Sequence, residues 1–156
     1  MSEEDIHQSL GYADGALWIR FKDQIYRFPQ DTLLDPCTKV YLESHRWTYQ
    51  EGNGCGSTRV NRWMLKVAQA LIGVDLTNIC QLHDLSYSLD VDNGCVKTYR
   101  HKTFCDHSLE YNIIAVASES KDRSLRIRFV AFSFMLAVRL FGSSSYWKHI
   151  PLCNRV

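Results

Sequence analysis

The chain has little net charge, no long apolar run, no internal repeat and no low-complexity segment, and these absences exclude several classes of protein. A formal charge of +1 gives no broad field with which to capture a polyanion, so nucleic acid is not an expected partner. The most apolar stretch, "FVAFSFMLAV", is shorter than the roughly 20 residues needed to span a bilayer. Arg123, Arg126, Arg128 and Arg139 around it read as the solvated flanks of a core helix. The acidic opening "MSEEDIHQSLGYADG" has neither a basic n-region nor an apolar h-region, so no secretory signal is expected there.

What is present describes one folded unit. With 156 residues, 46% of them hydrophobic and 22% charged, the chain is long enough to bury a single core, and no separate substrate domain is expected. Six cysteines, Cys37, Cys55, Cys80, Cys95, Cys105 and Cys153, are many for a reduced protein and permit a disulfide framework, but six allow fifteen connectivities. The cysteine content favours a secreted or virion- or effector-delivered protein and the opening residues oppose export, so the compartment stays open. Oligomeric state is not legible.

Hydropathy patterning places the elements. Residues 15 to 28, "GALWIRFKDQIYRF", alternate in two bursts, Leu17/Ile19/Phe21 and Ile25/Phe28, which predicts a β-hairpin. "PQDTLLDPC" reads as turn, with Pro29 and Pro36 each removing a backbone donor, and residues 38 to 48 show no period. "QEGNGCGST" at 50 to 58 is a glycine-dense loop whose backbone needs conformations open to glycine. Val60, Trp63, Met64, Val67 and Leu71 then mark one face of a helix ending near Gly73. From Asp75 or Thr77 as N-cap, Leu76, Ile79, Cys80, His83 and Tyr87 fall on one stripe of a helix reaching about residue 89. "DVDNGCVKTYRHK" reads as a loop with an Asn-Gly turn. A further helix is expected from about Thr103, burying Cys105, Leu109, Ile113 and Val116, and a last apolar helix over 124 to 141, ending at Gly142.

Three pieces in this order carry chemistry. A histidine that acts as general base needs a carboxylate on its other ring nitrogen, and Asp106, on the helix after that of His83, is suited to supply it. Asp84 points some 100° away from His83 around the helix and is suited instead to a metal. Calcium takes hard oxygen donors, and carbonyls of a glycine-rich loop together with a carboxylate form a natural set. An ion there beside a His-activated water would polarise a carbonyl and hydrolyse an ester.

The stretches "GCGST", "CQLHDLSY" and "CDHSLEY", over roughly residues 52 to 118, resemble the phospholipase A2 superfamily, as a divergent viral- or microbial-type member. The family's signature is a calcium loop with Cys-Gly, a helix with Cys-x-x-His-Asp-x-x-Tyr, and an antiparallel helix opening with Cys-Asp. The resemblance implies a mainly α fold with two antiparallel central helices and a glycine-rich calcium loop, to which this chain adds the small N-terminal β-hairpin and an extra apolar C-terminal helix. It divides the single domain into an N-terminal extension (1–48), a catalytic core (52–118) and a C-terminal helix and tail (124–156). It implies His83 as the base, Asp106 as its orienting carboxylate, Tyr87 as a hydrogen-bond donor to Asp106, and the Gly56 amide as part of the oxyanion hole. Calcium (Ca2+) would be held by Asp84 and the carbonyls of Gly54, Gly56 and Thr58, at the surface of a phospholipid membrane whose sn-2 esters are hydrolysed. A disulfide between Cys55 and Cys80 is implied, and Tyr99 is a candidate second tyrosine on Asp106. Ser86 stands where secreted members have Cys, so Cys105 pairs with Cys95 or stays free. Thr58 replaces a loop glycine.

Two other readings stand beside this one. Cys80, His83, Cys105 and His107 offer ligands for a structural zinc in a non-catalytic interaction module. A phospholipase-like binding protein without activity is opposed by the intact His83, Asp84 and Asp106. Tyr146 and Trp147 are expected to be exposed and to serve as interfacial anchors.

Overall fold

A computed structural model describes residues 10–21, 24–44, 59–120, 124–148 and 150–156. The order is three strands, β1 (Leu10–Ala13), β2 (Ala16–Phe21) and β3 (Gln24–Pro29), then six helices: α1 (Pro36–Ser44), α2 (Arg59–Ile72), α3 (Thr77–Ser88), α4 (Tyr99–Ser120), α5 (Leu125–Phe141) and the single turn α6 (Ser143–Tyr146). The fold is mainly helical with a small antiparallel sheet, and no described helix is long and apolar enough to cross a membrane.

The expected hairpin is one half of a three-stranded meander, β1-β2-β3. Asp14 and Gly15 both take positive φ, 53° and 69°, the type I′ geometry that matches strand twist and reverses the chain between β1 and β2. Leu17 faces Phe28 and Ile19 faces Tyr26 across β2 and β3. Leu17, Ile19 and Phe28 are buried, whereas Ile25 turns outward opposite Arg20. Ile25 and Phe28 are an odd number of residues apart and cannot share a face. Arg27 ties β3 to α4 through Glu119, at 3.0 and 3.3 Å.

Helix α1 occupies residues that show no hydrophobic period, and its start is nevertheless written in "DPCT". Asp35 accepts the Thr38 backbone N–H at 3.2 Å and the Thr38 hydroxyl at 2.6 Å, and Pro36 takes the first helical position, where a missing N–H costs nothing. Asn112 on α4 donates to Leu33 O and accepts from Leu33 N, fixing the segment that leads into Asp35.

Helix α4 begins at Tyr99, a turn before the expected Thr103. The hydroxyl of Thr98 accepts the His101 N–H at 3.0 Å, which caps the helix one turn earlier and places His101 and Lys102 on it. Helix α3 begins with Leu76 at its N-cap and no side-chain cap; Asp75 instead accepts from the Thr77 N–H and hydroxyl just before it. Leu76, Ile79, Cys80, His83 and Tyr87 are all buried as expected. Helix α2 is turned about its axis relative to the expected face: Trp63, Val67 and Leu71 are exposed, and Ala68 and Ile72 are buried. Helix α5 starts at N-cap Ser124, buries Ile127, Val130, Ala131, Phe134 and Met135, and leaves Leu125, Phe129, Phe132, Leu136 and Leu140 exposed.

One core unites the sheet with α1 to α5. A second, smaller cluster contains Tyr87, Cys105, Tyr146 and Trp147. Tyr146 and Trp147 are 0% and 2% exposed, so the expectation that they anchor the chain at an interface is overturned. Helix α6 folds them inward against α3, where Tyr146 meets the Tyr87 ring edge-on at 5.1 Å.

Candidate functional site

Nearly every residue of α3 from Ile79 to Tyr87 is buried, so the polar side chains on it need partners supplied by α4. Asp106 is that partner. Its Oδ1 lies 3.4 Å from His83 Nε2 and accepts the hydroxyl of Tyr87, one turn along α3. The imidazole and phenol rings are 4.2 Å apart. The other carboxylate oxygen, Oδ2, accepts from Lys102 Nζ at 2.8 Å, and that ammonium also reaches the Val138 carbonyl at 3.3 Å. All four side chains are buried.

Burial alone would raise the Asp106 carboxyl, but hydrogen bonds from His83, Lys102 and Tyr87, with the charge of Lys102, outweigh it and hold the group below its ordinary value. Burial and the facing carboxylate push the Tyr87 phenol far upward, so it stays protonated as a donor. Asp106 is therefore an ionised carboxylate fixed on three sides, facing a histidine through Nε2.

Asp84 is half-buried on α3, with its Oδ2 withdrawn from solvent. It is the one expected calcium ligand among the described residues, and a carboxylate adjoining the His83 position fits the hard-oxygen preference of that ion. Gly54, Gly56, Thr58 and Cys55 lie outside the described residues. Cys80 is disulfide-bonded, and Cys55, its expected partner, is among those not described.

The remaining expectations are redistributed. Tyr99 does not reach Asp106; it is about half exposed and lies against Trp147, and Lys102 fills the place it was expected to take. Cys95 is joined to Cys37, leaving Cys105 free and buried. The four residues considered for zinc are not gathered together. Cys80 is in a disulfide, His83 faces Asp106, Cys105 lies beside His101, and His107 is on the surface against Arg139 at 3.1 Å.

A second buried polar cluster adjoins the first. His101 lies between Asp35, 2.8 Å from Nε2, and the Tyr146 hydroxyl, 2.8 Å from Nδ1, with Cys105 Sγ 3.6 Å from Nε2. The Thr38 hydroxyl joins Asp35 to Ser86 on α3 at 2.9 Å. Lys97, also buried, donates to the carbonyls of Tyr87 and Tyr146. Burial lowers its pKa from the ordinary lysine value, against the opposing pull of Asp90 and Cys105. Reading the sequence missed Asp35, Lys97, His101 and Lys102. The spacing of Lys102 and Asp106, four residues apart on a helix, was the available signal.

No family model matches the chain, and neither does any curated protein or solved structure.

Proposed function

We propose that the chain hydrolyses the sn-2 ester of glycerophospholipids in a calcium-dependent reaction, with His83 as general base. The observation that carries this reading is the convergence of His83 and Tyr87, one turn apart on α3, on the ionised Asp106 of α4. Asp106 engages Nε2, which leaves Nδ1 as the nitrogen that takes the proton of an attacking water. The imidazolium formed in that step already faces a carboxylate, so its charge is stabilised where it develops. Tyr87 fixes the rotation of that carboxylate, and Lys102 keeps it ionised.

Asp84, with the carbonyls of Gly54, Gly56 and Thr58, would hold calcium. Bound there, the ion supplies a Lewis acid for the ester carbonyl, and the Gly56 amide assists at the oxyanion. A phospholipid surface as partner is supported by the outer face of α5. Leu125, Phe129 and Leu140 are exposed there, with the exposed Arg126, Arg128 and Arg139 nearby, a pairing of apolar and basic groups suited to an anionic interface.

The test is fatty-acid release from vesicles labelled at the sn-2 chain, with calcium, with chelator, and with His83→Gln. Release that requires both calcium and His83 is expected. Folded protein that releases no fatty acid under any of these conditions would overturn the enzymatic reading and return attention to a binding or metal-stabilised module.

A further inference from the structure

The buried cluster that adjoins the His83–Asp106 pair has the composition of a transition-metal site. Two donor atoms of different elements, an oxygen and a sulfur, meet around one ring nitrogen. Asp35 Oδ2 is 2.8 Å and Cys105 Sγ 3.6 Å from His101 Nε2, and the three ligand atoms lie within 4.8 Å of one another. Ligand atoms around a tetrahedral ion with bonds of about 2.0 to 2.3 Å sit roughly 3.3 to 3.8 Å apart, so the Asp35–His101 contact needs to open by about half an ångström.

The outer partners are also in place. The Tyr146 hydroxyl is on Nδ1 at 2.8 Å and is itself held by the N–H and carbonyl of Thr98, at 3.1 and 3.0 Å. A metal-ligating histidine usually has such a partner on its second nitrogen, which fixes ring orientation and tautomer. Asp35 is oriented by the hydroxyl and N–H of Thr38. Asp35 and Cys105 are each 1% exposed, unlike the solvated acidic groups that gather on surfaces. The mixture of thiol, imidazole and one carboxylate favours a thiophilic ion over calcium.

We propose that Asp35, His101 and Cys105 bind a thiophilic divalent cation, zinc in the first instance, at a site distinct from the calcium-dependent chemistry above. On binding, the Cys105 S–H bond breaks, its proton leaves to solvent and the thiolate bonds the metal; no electron is transferred. The Cys37–Cys95 disulfide is intact throughout. The proposal does not depend on the chain being a phospholipase.

The test uses the full chain under non-reducing conditions, with the exposed free thiol removed by Cys153→Ser, stripped with chelator and titrated with Co2+ as a spectroscopic substitute for zinc. A thiolate-to-cobalt absorption band that zinc displaces and calcium does not is the expected result. Cys105→Ser should abolish the band, and Tyr146→Phe should weaken binding by about tenfold through loss of the outer partner. Circular dichroism of each variant confirms folding. If Cys105→Ser fails to fold, His101→Gln takes its place, with loss of cobalt binding expected. No thiolate band in the folded parent, or a band that survives removal of Cys105 or His101, overturns the proposal.

Discussion

Lys102 and Asp106 form a buried ion pair, Nζ to Oδ2 at 2.8 Å, one turn apart on α4, so the carboxylate that faces His83 is also the counterion of a lysine. Removing one member of such a pair leaves an unpaired charge in a poorly solvated place. Lys102→Met is expected to destabilise the chain by about 3 kcal/mol, measured by urea denaturation at neutral pH. Lys102→Arg, which keeps the charge, should lose less. Equal losses for both variants would show that packing rather than charge decides the effect.

Acid should unfold the protein through Asp35 and Asp106, the two buried aspartates among the described residues. Burial raises both, but His101 and Thr38 at Asp35, and His83, Lys102 and Tyr87 at Asp106, bring each below its ordinary value in the folded state. A depressed folded value means that the unfolded chain binds more protons as pH drops. This contribution to stability is complete above about pH 4, the ordinary carboxylate value, and is lost as pH falls through the folded values. Urea midpoints between pH 7 and pH 2 should therefore fall steeply below about pH 4, and Asp106→Asn should flatten that fall while lowering stability at neutral pH. An unchanged acid limb in Asp106→Asn would remove Asp106 from this account.

Gly142 reports on the site from outside it. A Cβ there would lie 2.4 Å from the Val138 carbonyl and 3.1 Å from the Tyr87 hydroxyl, so even Ala forces the C-terminus of α5 or Tyr87 to move. Gly142→Ala is expected to cost about 1 to 3 kcal/mol from overpacking and to lower the rate of the proposed sn-2 hydrolysis, because Tyr87 holds the carboxylate of Asp106. A stability loss with full activity would show that the helix end absorbs the methyl group without disturbing Tyr87.

The disulfide between Cys37 and Cys95 closes a loop over a sequence separation of 58 residues and joins α1 to the connection between α3 and α4. The chain-entropy argument assigns such a loop about 4 kcal/mol. The double variant Cys37→Ser, Cys95→Ser should show a loss of that order in denaturant titrations. A loss below about 1 kcal/mol would mean that the reduced unfolded chain already holds these segments together.

The histidine stripe was legible because α3 repeats its apolar residues at helical spacing, and the core accepts that face intact. The next helix was legible only in part. With its start placed near Thr103, His101 and Lys102 read as loop residues; capping by Thr98 puts both on α4, where one faces Asp35 and the other Asp106. Helix α1 escaped notice because its stability comes from the Asp35 cap, Pro36 and a disulfide more than from an apolar stripe. The apolar face expected of α2 points to solvent, since periodicity identifies a stripe without saying whether anything covers it.

By itself the sequence determined what local rules control: a helical chain with a small sheet, the stripe holding His83 and Tyr87, the cap of α5 and the turns at Gly73 and Gly94. Those features depend on spacing and on conformations within a few residues. Tertiary structure alone decided that Asp106 of α4 meets His83 and Tyr87 of α3, that Tyr146 and Trp147 turn inward, and that Asp35 crosses 66 residues of sequence to meet His101. Such pairings arise because buried polar groups must find partners in space, and the sequence separation of those partners obeys no period.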